Sequence, residues 1–170
     1  WPKIKHKRVI WRSIGQSIAS TEAKLEKCRA EGLEIVRYSP KEANIPGYLG
    51  EDAMIRFYKD PADWNGWIGD TENVVNFTQS LKGRDKNVHF DEIMGAMTGF
   101  KAKVYGTDND NLGPFNGGEV SYQKMIDVLR HARVFVYGGT YPASYTLSFI
   151  EAMMVGVPVG AIDSKLARAN

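Results

Sequence analysis

Short apolar segments alternate along the chain with longer segments whose apolar residues recur at helical spacing. The apolar segments predict β-strands at residues 9–11, 33–38, 53–58, 74–77, 101–105, 134–137 and 157–161. The intervening segments predict helices, which we place at residues 20–29, 88–97, 121–132 and 144–155. Strands that alternate with helices at this spacing are typical of right-handed crossovers and of a parallel sheet covered on both faces. The pattern therefore predicts an α/β fold with helices on both faces of a parallel sheet.

Polar residues predict where two of the helices begin. Ser20 or Thr21 is the candidate N-cap of the first helix, and Gly32 is its candidate stop. Ser121 is the candidate cap of a later helix whose apolar side chains share one face. Those side chains belong to Met125, Val128, Leu129 and Ala132.

The segment from residue 60 to 69 combines turn residues with two tryptophans. We interpret it as a linker in which Trp64 and Trp67 pack at a domain junction, and the alternative is that these rings stack on a sugar. This predicts one domain, or the end of one, over residues 1–60 and a second, nucleotide-binding-type domain over residues 61–170. Because the chain begins at Trp1 and enters a strand pattern directly, we expect it to be a piece of a longer protein.

Composition and charge narrow the class of protein. The 22 Lys and Arg exceed the 20 Asp and Glu by only two, so the charge gives no support to nucleic-acid binding. Cys28 is the only cysteine, which excludes an internal disulfide and favours a reducing, cytoplasmic location. No signal peptide is apparent. The nearly uncharged run between Arg133 and Asp163 contains too many Gly and Pro residues for a membrane helix.

The loop from Gly138 to Ser144 is the strongest candidate for binding chemistry. It follows a predicted strand and precedes a helix, so backbone N–H groups and the positive end of the helix dipole can hold a phosphate or diphosphate. Glu151 is the only ionised residue on this otherwise apolar helix. A buried carboxylate needs a partner, and no Lys or Arg stands at a helical neighbour position. The partner is therefore either a distant basic residue or a ligand.

Residues 141–160, which read YPASYTLSFIEAMMVGVPVG, resemble the donor-site motif of retaining glycosyltransferases with the Rossmann-like GT-B fold. The resemblance implies that Glu151 hydrogen-bonds the ribose hydroxyls of a donor nucleotide. It also implies that the backbone of the helix start faces the donor phosphates, at Ser144, Tyr145, Thr146 and Leu147. The family's first glutamate, which contacts the donor sugar, corresponds here to Ala143.

A fainter resemblance to the same donor domain covers residues 74–81 and the basic residues that follow. The family's diphosphate-binding Arg falls on Ser80, and Arg84, with Lys82 and Lys86 beside it, takes the place of the family's Lys. The alternative is an ordinary solvated basic turn. By the same resemblance Gly106 and residues 116–120, including Val120, lie near the nucleotide.

The resemblance as a whole implies the C-terminal donor half of a GT-B glycosyltransferase. Such an enzyme transfers a sugar from a nucleoside-diphosphate sugar to a glycan or lipid acceptor, as in polysaccharide biosynthesis. It requires no separate cofactor, and the full-length protein is expected to associate peripherally with a membrane. The catalytic residues are not identified. The alternatives are a nucleotide-sugar epimerase and a non-catalytic nucleotide-sugar-binding domain.

We expect no metal site. Asp108, Asp110 and Glu119 approach the spacing of a calcium loop, but Leu112 occupies a ligand position and a strand precedes the loop. The Asp108–Asp110 pair also resembles the metal motif of the other large glycosyltransferase fold, whose sheet differs from the one predicted here. The histidines show no metal-ligand spacing.

Overall fold

The computed structural model describes residues 7–13, 17–56, 58–140 and 147–162, with the Lys86 side chain outside that description. Its residues divide into two compact units, one ending at Tyr58 and the other beginning at Lys59. In the described residues no helix has the length and apolar character that crossing a membrane requires.

The first unit contains a parallel three-stranded sheet in the order β1-β2-β3. Its elements are β1 (Ile10–Arg12), α1 (Ala19–Ala30), β2 (Glu34–Arg37), a 3-10 helix (Pro40–Asn44) and β3 (Ala53–Met54). The 3-10 helix starts at a capping box formed by Ser39 and Glu42, because each side chain satisfies backbone N–H groups at the helix start.

The interior of the first unit is ionic as well as apolar. Arg37 is fully buried, and its guanidinium forms two hydrogen bonds, of 2.7 and 2.8 Å, to the buried carboxylate of Glu22. The same guanidinium lies over the ring of Tyr48 at 4.7 Å. Burial would raise the pKa of Glu22, but hydrogen bonds from Arg37, Ser17 and the Leu49 N–H lower it below its ordinary value.

The second unit contains a parallel five-stranded sheet in the order β6-β5-β4-β7-β8. The strands are β4 (Val74–Phe77), β5 (Ala102–Tyr105), β6 (Asn116–Gly118), β7 (Val134–Tyr137) and β8 (Val159–Ala161). In chain order the sheet grows outward from β4 to β6 and then restarts on the other side with β7. This is the Rossmann-type order, with its topological switch point between β4 and β7. The predicted α/β class with parallel strands is confirmed.

Helices cover both faces of this sheet, as predicted. The pair α2 (Asp85–Val88) and α3 (Phe90–Met97) packs on one face, where Ile93 and Met97 are buried with residues of β4, β5 and β7. The pair α4 (Tyr122–His131) and α5 (Leu147–Val155) packs on the other face, around the fully buried Phe135. Ser121 caps α4 by accepting a hydrogen bond from the Lys124 N–H, which confirms the predicted cap.

Three local predictions are wrong. Helix α1 has Ile18 at its N-cap, so Ser20 and Thr21 lie inside its first turn and cap nothing there. The strand predicted for residues 53–58 ends at Met54. The helix predicted for residues 88–97 is interrupted at His89, whose φ of +55° breaks the hydrogen-bonding pattern between α2 and α3.

The tryptophan segment is not a linker. Trp64 is fully buried in the core beside α4 and α5. The backbone N–H of Trp67 donates to the Val155 carbonyl at 3.1 Å, and the backbone N–H of Ile68 donates to the Arg130 carbonyl at 2.8 Å. The segment is therefore an integral part of the second unit. Sequence placed the domain boundary after residue 60, whereas the contacts place Lys59 and residue 60 in the second unit.

Candidate nucleotide site

The switch point between β4 and β7 is bridged by a buried amide. Backbone pairing of these strands joins Val74 to Val134 and Val75 to Phe135. One residue further, the Asn76 side-chain nitrogen donates to the Val136 carbonyl at 2.9 Å. The Asn76 side-chain oxygen is buried without a hydrogen-bond partner among the described residues. Asn76 thus keeps the two strands together at the place where parallel α/β sheets open toward a ligand.

A second asparagine organises the loops that leave β4 and β5. The side-chain nitrogen of Asn109 donates to the carbonyls of Thr78, at 2.8 Å, and Gly106, at 3.2 Å. Its side-chain oxygen accepts from the Leu81 N–H at 2.9 Å. A Cβ at Gly106 would lie 2.8 Å from the Thr78 carbonyl oxygen, so only glycine fits there. The Asn109 side chain therefore links the loop after β4 to the loop after β5.

The two glycines after β7 have different roles. A Cβ at Gly138 would lie 2.5 Å from the Ile93 side chain and 2.6 Å from the Val88 carbonyl oxygen, so the protein itself fills that space. Gly139 has a φ of +80°, and, apart from its chain neighbours, no atom of the described residues lies within 4 Å of the place where its Cβ would be. Of the two glycines predicted to let a ligand approach the backbone, Gly139 is therefore the one that the described residues leave accessible.

Glu151 lies in the second turn of α5, and its side chain is 5% exposed. The Lys59 ammonium is 2.6 Å from Glu151 Oε1. Of the two partners that the sequence left open for this carboxylate, the structure supplies the distant basic residue. A ligand at Glu151 would therefore meet a carboxylate that is already paired with a cation.

Aromatic groups surround the Lys59 ammonium. It is 3.3 Å from the Tyr122 hydroxyl oxygen, 4.7 Å from the centre of that ring and 5.1 Å from the centre of the Trp64 ring. Burial would lower the pKa of Lys59, but hydrogen bonds to Glu151 and Tyr122 raise it above its ordinary value. The Lys59 side chain is 21% exposed, and Tyr122 is half exposed at the start of α4.

Chain order alone predicts that the remaining site residues lie at the carboxyl edge of the sheet. Arg84 is exposed at the end of a 3-10 helix (Lys82–Arg84) that follows β4, and Lys86 is on α2. Gly106 follows β5, Val120 follows β6, and Leu147 is the first residue of α5. The predicted phosphate-binding residues Ser144, Tyr145 and Thr146, with Ala143, lie outside the described residues.

A cavity of about 190 Å³ opens beside β7, β8 and α3. Its lining is mainly apolar, with Ile93, Val136 and Ile162 among its residues and Glu92 as its charged group. This chemistry suits an apolar or neutral group better than a diphosphate, because a carboxylate repels phosphate. Within the described ranges, no group of three or more His, Cys, Asp or Glu is arranged to hold a metal ion.

Comparison of the chain with models of known protein families gave no match, and a search among curated proteins gave none either. A function therefore has to be inferred from the sequence motif and from the geometry of the second unit.

Sequence reasoning did not find Lys59. Its only local signal is a position next to the tryptophan segment, and its pairing with Glu151 depends on how the chain folds. The sequence signal is indirect: the lone charge on α5 indicates that a partner is needed, but a distant basic residue and a ligand satisfy that need equally well.

Proposed function

We propose that the second unit is the donor-binding domain of a GT-B glycosyltransferase, which takes a sugar from a nucleoside-diphosphate sugar to a glycan or lipid acceptor. The first unit then belongs to the acceptor-side domain. The observation that carries this proposal is Glu151, a nearly buried carboxylate on the helix that follows β7. That helix leaves the switch point of a Rossmann-type sheet, where parallel sheets bind nucleotides.

The residues fit the binding of a nucleoside diphosphate. The Glu151 carboxylate accepts hydrogen bonds from the two ribose hydroxyls, and hydrogen bonds to a charged acceptor are stronger than neutral ones. The N-terminal end of the α5 segment offers backbone N–H groups to the diphosphate. Arg84, exposed after β4, stabilises the negative charge that develops on the diphosphate as it leaves the sugar.

Binding and transfer need separate tests. Nucleotide binding is measured by calorimetry and thermal shift with UDP, GDP and ADP and their glucose conjugates. We expect one nucleotide family to bind and to raise the melting temperature. Glu151→Gln should weaken binding by about 1.5–3 kcal/mol, the range for a hydrogen bond to a charged group. Asp127→Asn is the matched control, because it removes an exposed carboxylate from α4. If no nucleotide binds the wild-type chain, the proposal is wrong.

A non-catalytic nucleotide-sugar-binding domain is the second candidate, and Ala143 favours it. In the family that residues 141–160 resemble, a glutamate at this position contacts the donor sugar, and alanine makes no such contact. Release of free sugar from the bound donor, or its transfer to an added glycan, would support the enzyme. Binding without either reaction would support the binding domain.

A further inference from the structure

Lys59 is held in place from three sides by groups of the second unit. Glu151 Oε1 lies 2.6 Å from its ammonium, the Tyr122 hydroxyl oxygen lies at 3.3 Å, and the Trp64 ring lies beneath it at 5.1 Å. Trp64 is fully buried and meets Tyr122 edge to face, with ring centres 5.3 Å apart. A lysine usually moves freely, but these contacts fix this ammonium and its direction toward Glu151.

Glu151 depends on this ammonium as its counter-ion and for its orientation. Among the described residues, Lys59 is the only cation within ion-pair distance of the Glu151 carboxylate. A carboxylate that is 5% exposed and has lost its cation must take up a proton, turn toward water or destabilise the fold. A protonated acid accepts weaker hydrogen bonds than a carboxylate and adds a donor of its own.

We propose that Lys59 is a positioning residue that holds the Glu151 carboxylate oriented to accept the hydroxyls of a ribose. The proposal rests on the nucleotide-binding function proposed above. Lys59 bonds Oε1 from the side of Tyr122 and Trp64, which fixes the direction of the carboxylate. It acts on the ligand through Glu151, so its removal should eliminate most of the recognition of ribose.

The ribose 2′-hydroxyl provides a test that separates positioning from a structural role. Calorimetry of the full 170-residue chain measures the affinities of UDP, GDP and ADP and of their 2′-deoxy forms. For the nucleotide that binds, we expect the wild type to prefer the ribose form by about 10-fold or more, as for a hydrogen bond to a charged group. Lys59→Met should remove most of that preference, since Met fills the space against the rings without a charge.

Three further variants complete the experiment. Lys59→Arg keeps a cation and should restore much of the preference. Lys124→Met is the matched control, because it removes a lysine from an exposed ion pair on α4. In the Glu151→Gln background, Lys59→Met should have no further effect on the preference, because two residues that act as one unit are not additive. If Lys59→Met alone folds poorly, the double variant still tests whether Lys59 acts through Glu151, because it leaves no unpaired buried charge.

The outcomes are distinguishable. A Lys59→Met chain that keeps the wild-type ribose preference overturns the positioning role, even if both affinities fall. A double variant that binds both forms more weakly than Glu151→Gln also overturns it, because Lys59 would then contact the ligand directly. Failure of the wild type and of Lys124→Met to bind any nucleotide overturns the proposed function, and this inference with it.

Discussion

The pairing of Lys59 with Glu151 changes what a substitution at Glu151 should do. A buried carboxylate without a protein partner could become a glutamine at little cost to the fold. The structure instead places an ammonium at 2.6 Å, so glutamine leaves that ammonium without its counter-charge. The same residue therefore affects both stability and the proposed ribose contact.

We predict that Glu151→Gln lowers the free energy of unfolding by about 1.5–3 kcal/mol at pH 7, the range for a hydrogen bond to a charged group. The pKa of Lys59 is raised in the folded state, so the stability it contributes is complete below pH 10.5 and is lost above it. The difference between wild type and variant should therefore shrink as the pH rises beyond 10.5. Urea unfolding at several pH values measures it, and equal stability of the two chains at pH 7 would contradict the prediction.

At the scale of single residues, the sequence predicts that Glu151 has a partner but does not identify that partner. The lone charge on an apolar helix shows that Glu151 requires a partner. It cannot identify Lys59, because the two residues are far apart in the chain and meet only once α4, α5 and the tryptophan segment have packed together.

At the scale of single elements, helices α1 and α4 offer a matched pair of serines. We predict that Ser121→Ala lowers the free energy of unfolding by about 1 kcal/mol, because the side chain caps α4. Ser20→Ala should leave it nearly unchanged, because Ser20 lies inside the first turn of α1, where alanine is favourable. Urea unfolding followed by circular dichroism compares the two variants, and a larger loss at Ser20 would refute the assignment.

The cap of α1 could not be predicted from local pattern because the nearest candidate hydroxyl bonds to a carboxylate of a buried ion pair. Ser17 stands just before the helix and has a suitable hydroxyl, but it donates to the Glu22 carboxylate. That bond belongs to the buried cluster around Arg37, which local sequence does not reveal. The Ser121 side chain accepts from the Lys124 N–H at the start of α4, and its predicted cap is confirmed.

Loop organisation at the edge of the second sheet depends on Asn109. We predict that Asn109→Ala lowers the free energy of unfolding by about 1–3 kcal/mol, because it leaves buried backbone groups unsatisfied. The exposed Asn65 supplies the control substitution, for which little change is expected. Amide hydrogen exchange should show faster exchange at Leu81 in the Asn109 variant. Unchanged protection of the Leu81 N–H would argue against this role.

For the whole molecule, alternation of strands and helices was enough to predict a parallel sheet with helices on both faces, as the five-stranded sheet shows. Strand order was not predictable in the same way, because it depends on which side of β4 each crossover returns. The Rossmann-type order, and with it the switch point at Asn76, emerges only from the assembled sheet.

The two units should also differ in their response to acid. In the first unit the pKa of Glu22 is lowered, so the stability it contributes is present above pH 4.5 and is lost as the pH falls further. We predict that acid titration unfolds this unit first, and that Glu22→Gln makes its stability lower at pH 7 and less dependent on pH below 4.5. Amide hydrogen exchange, measured between pH 3 and 7, reports on the first unit through β2 and on the second unit through β4. If both units of the wild type lose their exchange protection at the same pH, this expectation is contradicted.

The position of Lys59 at the first residue of the second unit has a practical consequence for dissecting the protein. A fragment cut at the boundary read from sequence, residues 61–170, would omit Lys59 and keep Glu151. Such a fragment would carry an uncompensated carboxylate in its interior and no cation against the rings of Trp64 and Tyr122. Poor expression or weak binding by that fragment would then reflect a cut made two residues too late, and a fragment starting at or before Lys59 would keep the ion pair intact.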